Sequence, residues 1–176
     1  MSRLFFAIWP DAGAAHSLRA LALELASRAG GRAVPPEKIH LTLAFLGEVG
    51  ADRADALVDA AGEVREVPFA MAFDRVGSFR RARVAWVGTA EPPPPLLRLQ
   101  AALDQALRAR GFALEERAFT PHVTLVRRVE RNVSRERIEA IAWRAQEMAL
   151  VRTDPGSGAY STMATWPLKR ARTGGA

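Results

Sequence analysis

The hydrophobic and polar positions of this chain fall into short blocks. Arg3 to Trp9 (RLFFAIW) is aromatic and aliphatic and ends at Pro10, the pattern of a buried strand. From Asp11 to Ala29, Leu18, Leu21, Ala22 and Leu25 recur at helical spacing, and Gly30-Gly31 stops the run. IHLTLAFL, from Ile39, predicts a strand closed by Gly47, and residues 52–65 predict a helix with Leu57, Val58 and Ala61 on one face. PFAMAFDRV and RVAWVGT predict two strands with a turn at Gly77-Ser78. A proline run, Pro92 to Pro95, launches a helix over Leu96–Arg110 whose Leu96, Leu99, Leu103 and Leu107 share a face. FTPHVTLVRRV is again a strand. Ser134 and the Arg/Glu pairs after it predict a short helix over 134–139, then a long strand from about 140 to 152, where Ile141, Trp143 and Ala145 alternate. DPGSG at 154–158 predicts a hairpin turn into a last strand, AYSTMATWPL, and ARTGGA reads as a frayed tail.

The order strand, helix, strand thus occurs twice, over Arg3–Leu46 and Arg83–Val129, and the second strand of each unit carries the same tetrad, His-x-Thr-Leu. The chain has three histidines, and two of them, His40 and His122, head these tetrads. The third, His16, lies mid-helix and reads as a surface residue.

Composition narrows the chemistry. There are 176 residues, 49% of them hydrophobic, which suffices for one domain with a real core. With no cysteine, disulfides and thiolate metal sites are excluded. The opening apolar run is too short for a signal-peptide core or a membrane span, so a cytoplasmic protein is the simplest expectation. The net charge of +6 suits an anionic partner. Only two of the 25 basic residues, Lys38 and Lys169, are lysines, a bias that GC-rich coding also produces, so charge alone does not establish a nucleic-acid partner.

In a strand, residues two apart share a face, so His40 with Thr42, and His122 with Thr124, project from a backing formed by Leu41, Leu43, Val123 and Leu125. Folded about a pseudo-two-fold axis, the pairs would meet across a groove. Two imidazoles supply a general base for water and a general acid for a leaving alkoxide near neutral pH. Two hydroxyls can hydrogen-bond the non-bridging oxygens of a phosphoryl group. A metal site needs three or four donors, and no acidic cluster accompanies the histidines.

HLTLAFLGEV and PHVTLVR resemble the paired HxTx signatures of the 2H phosphoesterase superfamily, in particular its bacterial RNA 2′,3′-cyclic phosphodiesterases, also called 2′-5′ RNA ligases. RLFFAIWP, SFRRARVAWVG and AYSTMATWPL are similar to the family's opening strand, central hairpin and closing strand. The resemblance implies an α+β fold of two pseudo-symmetric lobes of mostly antiparallel sheet with outer helices, the HxTx strands facing a central groove. One domain would span residues 1–170, with 171–176 a flexible tail. It implies metal-independent hydrolysis of RNA 2′,3′-cyclic phosphate ends to 2′-phosphomonoesters without a cofactor, with weak ATP-independent 2′-5′ ligation. The implied partner is an RNA end, tRNA fragments included; no membrane association is expected, and a monomer is the default because both half-sites lie in one chain. A small cyclic nucleotide, an ADP-ribose cyclic phosphate, or RNA binding without catalysis would use the same residues.

By position His40 would be the proton donor and His122 the proton acceptor, although residue order in a near-symmetric site does not separate the two. The same resemblance implies that Phe45 and Arg127, each five residues after its histidine, sandwich the terminal base. Their odd offset points them away from the histidines in a regular strand. Either a bulge or the strand end re-aims them, or Arg128 binds in place of Arg127, and core packing is an equal alternative for Phe45. Arg80, Arg81 and Arg83 either line the groove or protect an edge strand.

Overall fold

In the computed structural model, which describes residues 2–169, both repeat units close on themselves. The strands of the first, β1 (Ser2–Ile8) and β3 (Leu41–Val49), pair antiparallel, as do those of the second, β5 (Val84–Gly88) and β6 (His122–Arg127). Four further strands flank them: β4 (Phe69–Phe79), β7 (Glu136–Ala145), β8 (Glu147–Thr153) and β9 (Tyr160–Pro167). The sheet runs β7-β4-β5-β6-β3-β1-β8-β9, and the short β2 (Arg32–Ala33) also pairs with β6. The order is a palindrome of roles, with β6 matching β3, β5 matching β1, and so outward. The fold is therefore α+β with two pseudo-symmetric halves, meeting at the pair Leu41–Val123.

Three helices cover one face of the sheet: α1 (Ala12–Ala29), α2 (Ala54–Glu63) and α3 (Pro94–Ala109). They cross between halves. Helix α1 leaves β1 yet packs on β6 and β7, and α3 leaves β5 yet packs on β3. Leu18 and Leu25 of α1, and Leu96, Leu99, Leu103 and Leu107 of α3, are fully buried in one continuous core. Exchange of helices explains why neither half stands as a separate core. The start of α1 is fixed by Asp11, whose Oδ1 accepts the Ala14 N–H (2.9 Å) and whose Oδ2 accepts the Arg144 N–H of β7 (3.2 Å).

Several expectations are corrected. Residues 134–139 form no helix; the strand β7 begins at Glu136, because β4 offers a ladder whose pairing outweighs the local capping signal. The strand expected over 140–152 is broken at Gln146, where the chain passes from pairing with β4 to pairing with β1. Gly77-Ser78 lies inside β4, and the turn is made by Arg80–Arg83, with Arg83 in a left-handed conformation (φ 52°). Gly47 does not end β3. It carries a bulge at φ 67°, and the strand continues to Val49. Val58 is exposed; Leu57, Ala60 and Ala61 form the buried face of α2. The expected tail at 171–176 lies outside the described residues.

Candidate active site

The pair Leu41–Val123 turns its side chains into the core. Its antiparallel register sets His40 opposite Thr124 and Thr42 opposite His122, on the face away from the helices. Each imidazole therefore neighbours the hydroxyl of its own motif and that of the other.

Beyond the tetrads the two strands repeat each other in burial. From the histidine onward, both run half-buried, buried, half-buried, buried, buried, exposed, ending at Phe45 in one and Arg127 in the other. The two consecutive buried residues mark a bulge. Against β1, the register slips between Thr42 and Ala44; against β5, it slips between Thr124 and Val126. Leu43 and Leu125 are the extra residues. Each bulge reverses the parity of the residues beyond it and brings Phe45 and Arg127 to the histidine face. One cleft of about 130 Å³ is lined by His40, Thr42, Phe45, His122, Thr124 and Arg127 together. Arg128 takes φ 58° and does not line it, nor do Arg80, Arg81 and Arg83, which are exposed on the β4–β5 turn. His16 is exposed on α1.

Both imidazoles are held in the same way. His40 Nδ1 lies 2.7 Å from the Lys38 carbonyl and His122 Nδ1 lies 2.8 Å from the Thr120 carbonyl, two residues upstream in each case. A carbonyl only accepts, so Nδ1 carries the proton and Nε2 is left for chemistry. His40 Nε2 meets the Thr42 hydroxyl at 3.0 Å, which donates to it when the ring is neutral.

The rings differ in their surroundings. His40 stacks on Phe5 (centroids 4.8 Å apart) and meets Trp9 and Tyr160 edge-on (5.5 and 5.6 Å). Burial in this aromatic setting pushes its pKa from 6.5 down to about 4. The Lys38 carbonyl opposes the shift, and the nearby Arg127 guanidinium and His122 ring add to it. At neutral pH, His40 is therefore uncharged. Among the described residues, His122 meets a single aromatic ring edge-on, that of Phe79 (5.1 Å).

Sequence reasoning missed Lys38 and Tyr160, which also line the cleft. Lys38 Nζ donates to the Gly158 carbonyl (2.7 Å) and lies 5.3 Å from the centre of the Tyr160 ring, tying the β8–β9 hairpin to the rim. The available signal was positional: Lys38 stands two residues before His40 and is one of only two lysines. Among the described residues, no group of three or more His, Cys, Asp or Glu side chains gathers to hold a metal, and no helix is long and apolar enough to cross a membrane.

The description of LigT-like phosphoesterases matches the chain twice in succession, over residues 8–86 and 87–154. The chain belongs to this family. Each of the two matches contains one HxTL tetrad, and each supplies strands to both sheet halves. An RNA 2′,3′-cyclic phosphodiesterase of Escherichia coli is 41% identical over 97 residues, so the chain spans about half the length (55%) of that relative. One from Archaeoglobus fulgidus is 34% identical over 133 residues, 74% of each chain. The crystal structure of E. coli LigT complexed with 3′-AMP superposes with a TM-score of 0.81 at 33% identity, covering 96% of this chain and 99% of that one. Another phosphoesterase crystal structure gives 0.84 at 31% identity, with the same coverage.

Proposed function

We propose that this LigT-like phosphoesterase hydrolyses the 2′,3′-cyclic phosphate at an RNA end to a 2′-phosphomonoester, without a metal or cofactor. The observation that carries the proposal is the pair of imidazoles, each anchored through Nδ1, that leave two Nε2 atoms for one cleft. The names of the relatives support the substrate class. Both half-sites come from one chain, so the reaction needs only a monomer, acting on cytoplasmic RNA ends such as tRNA fragments.

In this reading the cyclic phosphate sits between the two histidines. His122 Nε2 takes a proton from water as its oxygen bonds to phosphorus, and the P–O3′ bond breaks on the opposite side. His40 gives the Nε2 proton to the departing 3′-oxygen. Thr42 and Thr124 donate to the non-bridging oxygens, and Arg127 and Phe45 hold the terminal base. His40, neutral at neutral pH, gains its proton as the phosphate anion enters, because an adjacent negative charge offsets the burial that disfavours the imidazolium. Binding of the anion thus prepares the acid. A 5′-hydroxyl in place of water yields a 2′-5′ linkage by the same steps.

The test is incubation with a defined RNA 2′,3′-cyclic phosphate, with 2′- and 3′-phosphate products resolved. The 2′-product alone is expected, EDTA leaves the rate unchanged, and His40→Ala or His122→Ala each lowers it by roughly 10²–10⁴-fold. A 3′-phosphate product, or full activity in the double variant, refutes the mechanism.

A further inference from the structure

A second cleft, of about 170 Å³, opens on the other side of His122. It is lined by Phe79, Trp86, Arg75 and Arg135, and His122 borders both clefts. Trp86 is the notable member. Its ring lies flat across β4, over its cross-strand partner Gly77, where an added Cβ would fall 2.6 Å from the indole. On its own strand, a Cβ at Gly88 would fall 3.2 Å from the same ring. Glycine at these two positions lets the indole lie down on the sheet. Phe79 packs beside it (5.4 Å between centroids), and the Arg135 guanidinium sits 5.9 Å from its centre. Trp86 Nε1–H is buried without a hydrogen-bond partner among the described residues, an uncommon state for a donor that ordinarily finds one. Neither Arg75 nor Arg135, both exposed, makes an ion pair among the described residues.

Aromatic faces with unpaired arginines are the chemistry that holds a single-stranded nucleotide, base on ring and phosphate on guanidinium. We propose that the Trp86 cleft is a second nucleotide subsite, separate from the pocket of Phe45 and Arg127. Its occupant is either the residue preceding the cyclic end in the same RNA strand or a separate nucleoside brought beside His122. The assignment rests on the RNA reading above. It adds that recognition extends past the terminal nucleotide, through residues of β4 and β5 and through Arg135, just before β7.

Two measurements test it. The first compares hydrolysis of adenosine 2′,3′-cyclic phosphate with that of the ApA dinucleotide carrying the same cyclic end. The dinucleotide is expected to show the lower KM. Arg135→Ala, an exposed site whose loss leaves the core intact, raises the dinucleotide KM about two- to fivefold, and Trp86→Leu about tenfold or more. The second follows the Trp86 indole N–H by NMR, assigned by its loss in Trp86→Phe. Titrants are ApA and, with the first cleft saturated by 2′-AMP, free adenosine. A shift with ApA assigns the subsite to the substrate strand; a shift with adenosine alone assigns it to a separate nucleoside. No saturable shift with either, together with equal KM values, overturns the proposal. Absence of hydrolysis of both substrates refutes the proposed reaction, while the indole resonance still reports on the subsite.

Discussion

Acidification is expected to weaken this protein through His40 in particular. In the unfolded chain its imidazole titrates near 6.5, and in the folded chain burial lowers this to about 4. Between those values the unfolded state binds more protons, so stability falls as pH drops from about 6.5 to about 4, then levels. A shift of that size corresponds to about 3 kcal/mol, at 1.36 kcal/mol per pKa unit. Against a typical total of roughly 5–15 kcal/mol this is a large share. The assay is urea unfolding, followed by tryptophan fluorescence at pH 7.5 and pH 4, of the parent chain and His40→Gln. Carboxylates and the other histidines contribute to both proteins, so the difference between them isolates His40. The parent should lose about 3 kcal/mol more than the variant, a midpoint difference of about 1–2 M urea. Equal losses would refute the account of the buried, neutral ring. The proposed role of His40 as acid adds a second requirement: by NMR, its pKa must rise from about 4 when 2′-AMP occupies the cleft. A value unmoved by the nucleotide would transfer the acid's role to His122.

Further outcomes can be checked directly. Arg127→Ala should raise KM for a cyclic-phosphate RNA about threefold to thirtyfold while changing kcat less, since it holds the base rather than the reacting atoms; a fall in kcat alone would contradict this. Gly47→Ala should cost about 1–2 kcal/mol in urea unfolding, because φ 67° is unfavourable for a residue with a Cβ. An unchanged midpoint would show that the bulge relaxes without cost. Leu103→Ala, in the fully buried face of α3, should cost about 2–5 kcal/mol by the same measurement. A loss under 1 kcal/mol would mean that the helix closes onto the cavity.

The asymmetry between the histidines shows what near-identical motifs leave undecided. Both tetrads place a ring and a hydroxyl on the same face and pin Nδ1 to the carbonyl two residues upstream. Yet Phe5, Trp9 and Tyr160 enclose one ring, while among the described residues Phe79 alone meets the other edge-on. The proton affinity of His40 is therefore set by segments at the two ends of the chain, β1 and β9.

Features carried by short periods were legible in the sequence. The buried faces of α1 and α3 come from leucines three and four apart, and the shared face of each His and Thr comes from a spacing of two. The duplication could be read because each unit closes on its own strand pair. The rest depended on how distant segments pack. Residues 134–139 carry a helix cap signal, but they lie beside β4, and pairing there overrode it. The bulges at Leu43 and Leu125 leave no local mark, because a one-residue slip depends on the partner strand's register, yet they bring Phe45 and Arg127 into the cleft. Gly77 looked like a turn and is a bed for the Trp86 indole, a use visible only once β4 and β5 are paired. The charge state of His40 belongs to the same class: burial is a property of the packed molecule, and no spacing along the chain encodes it.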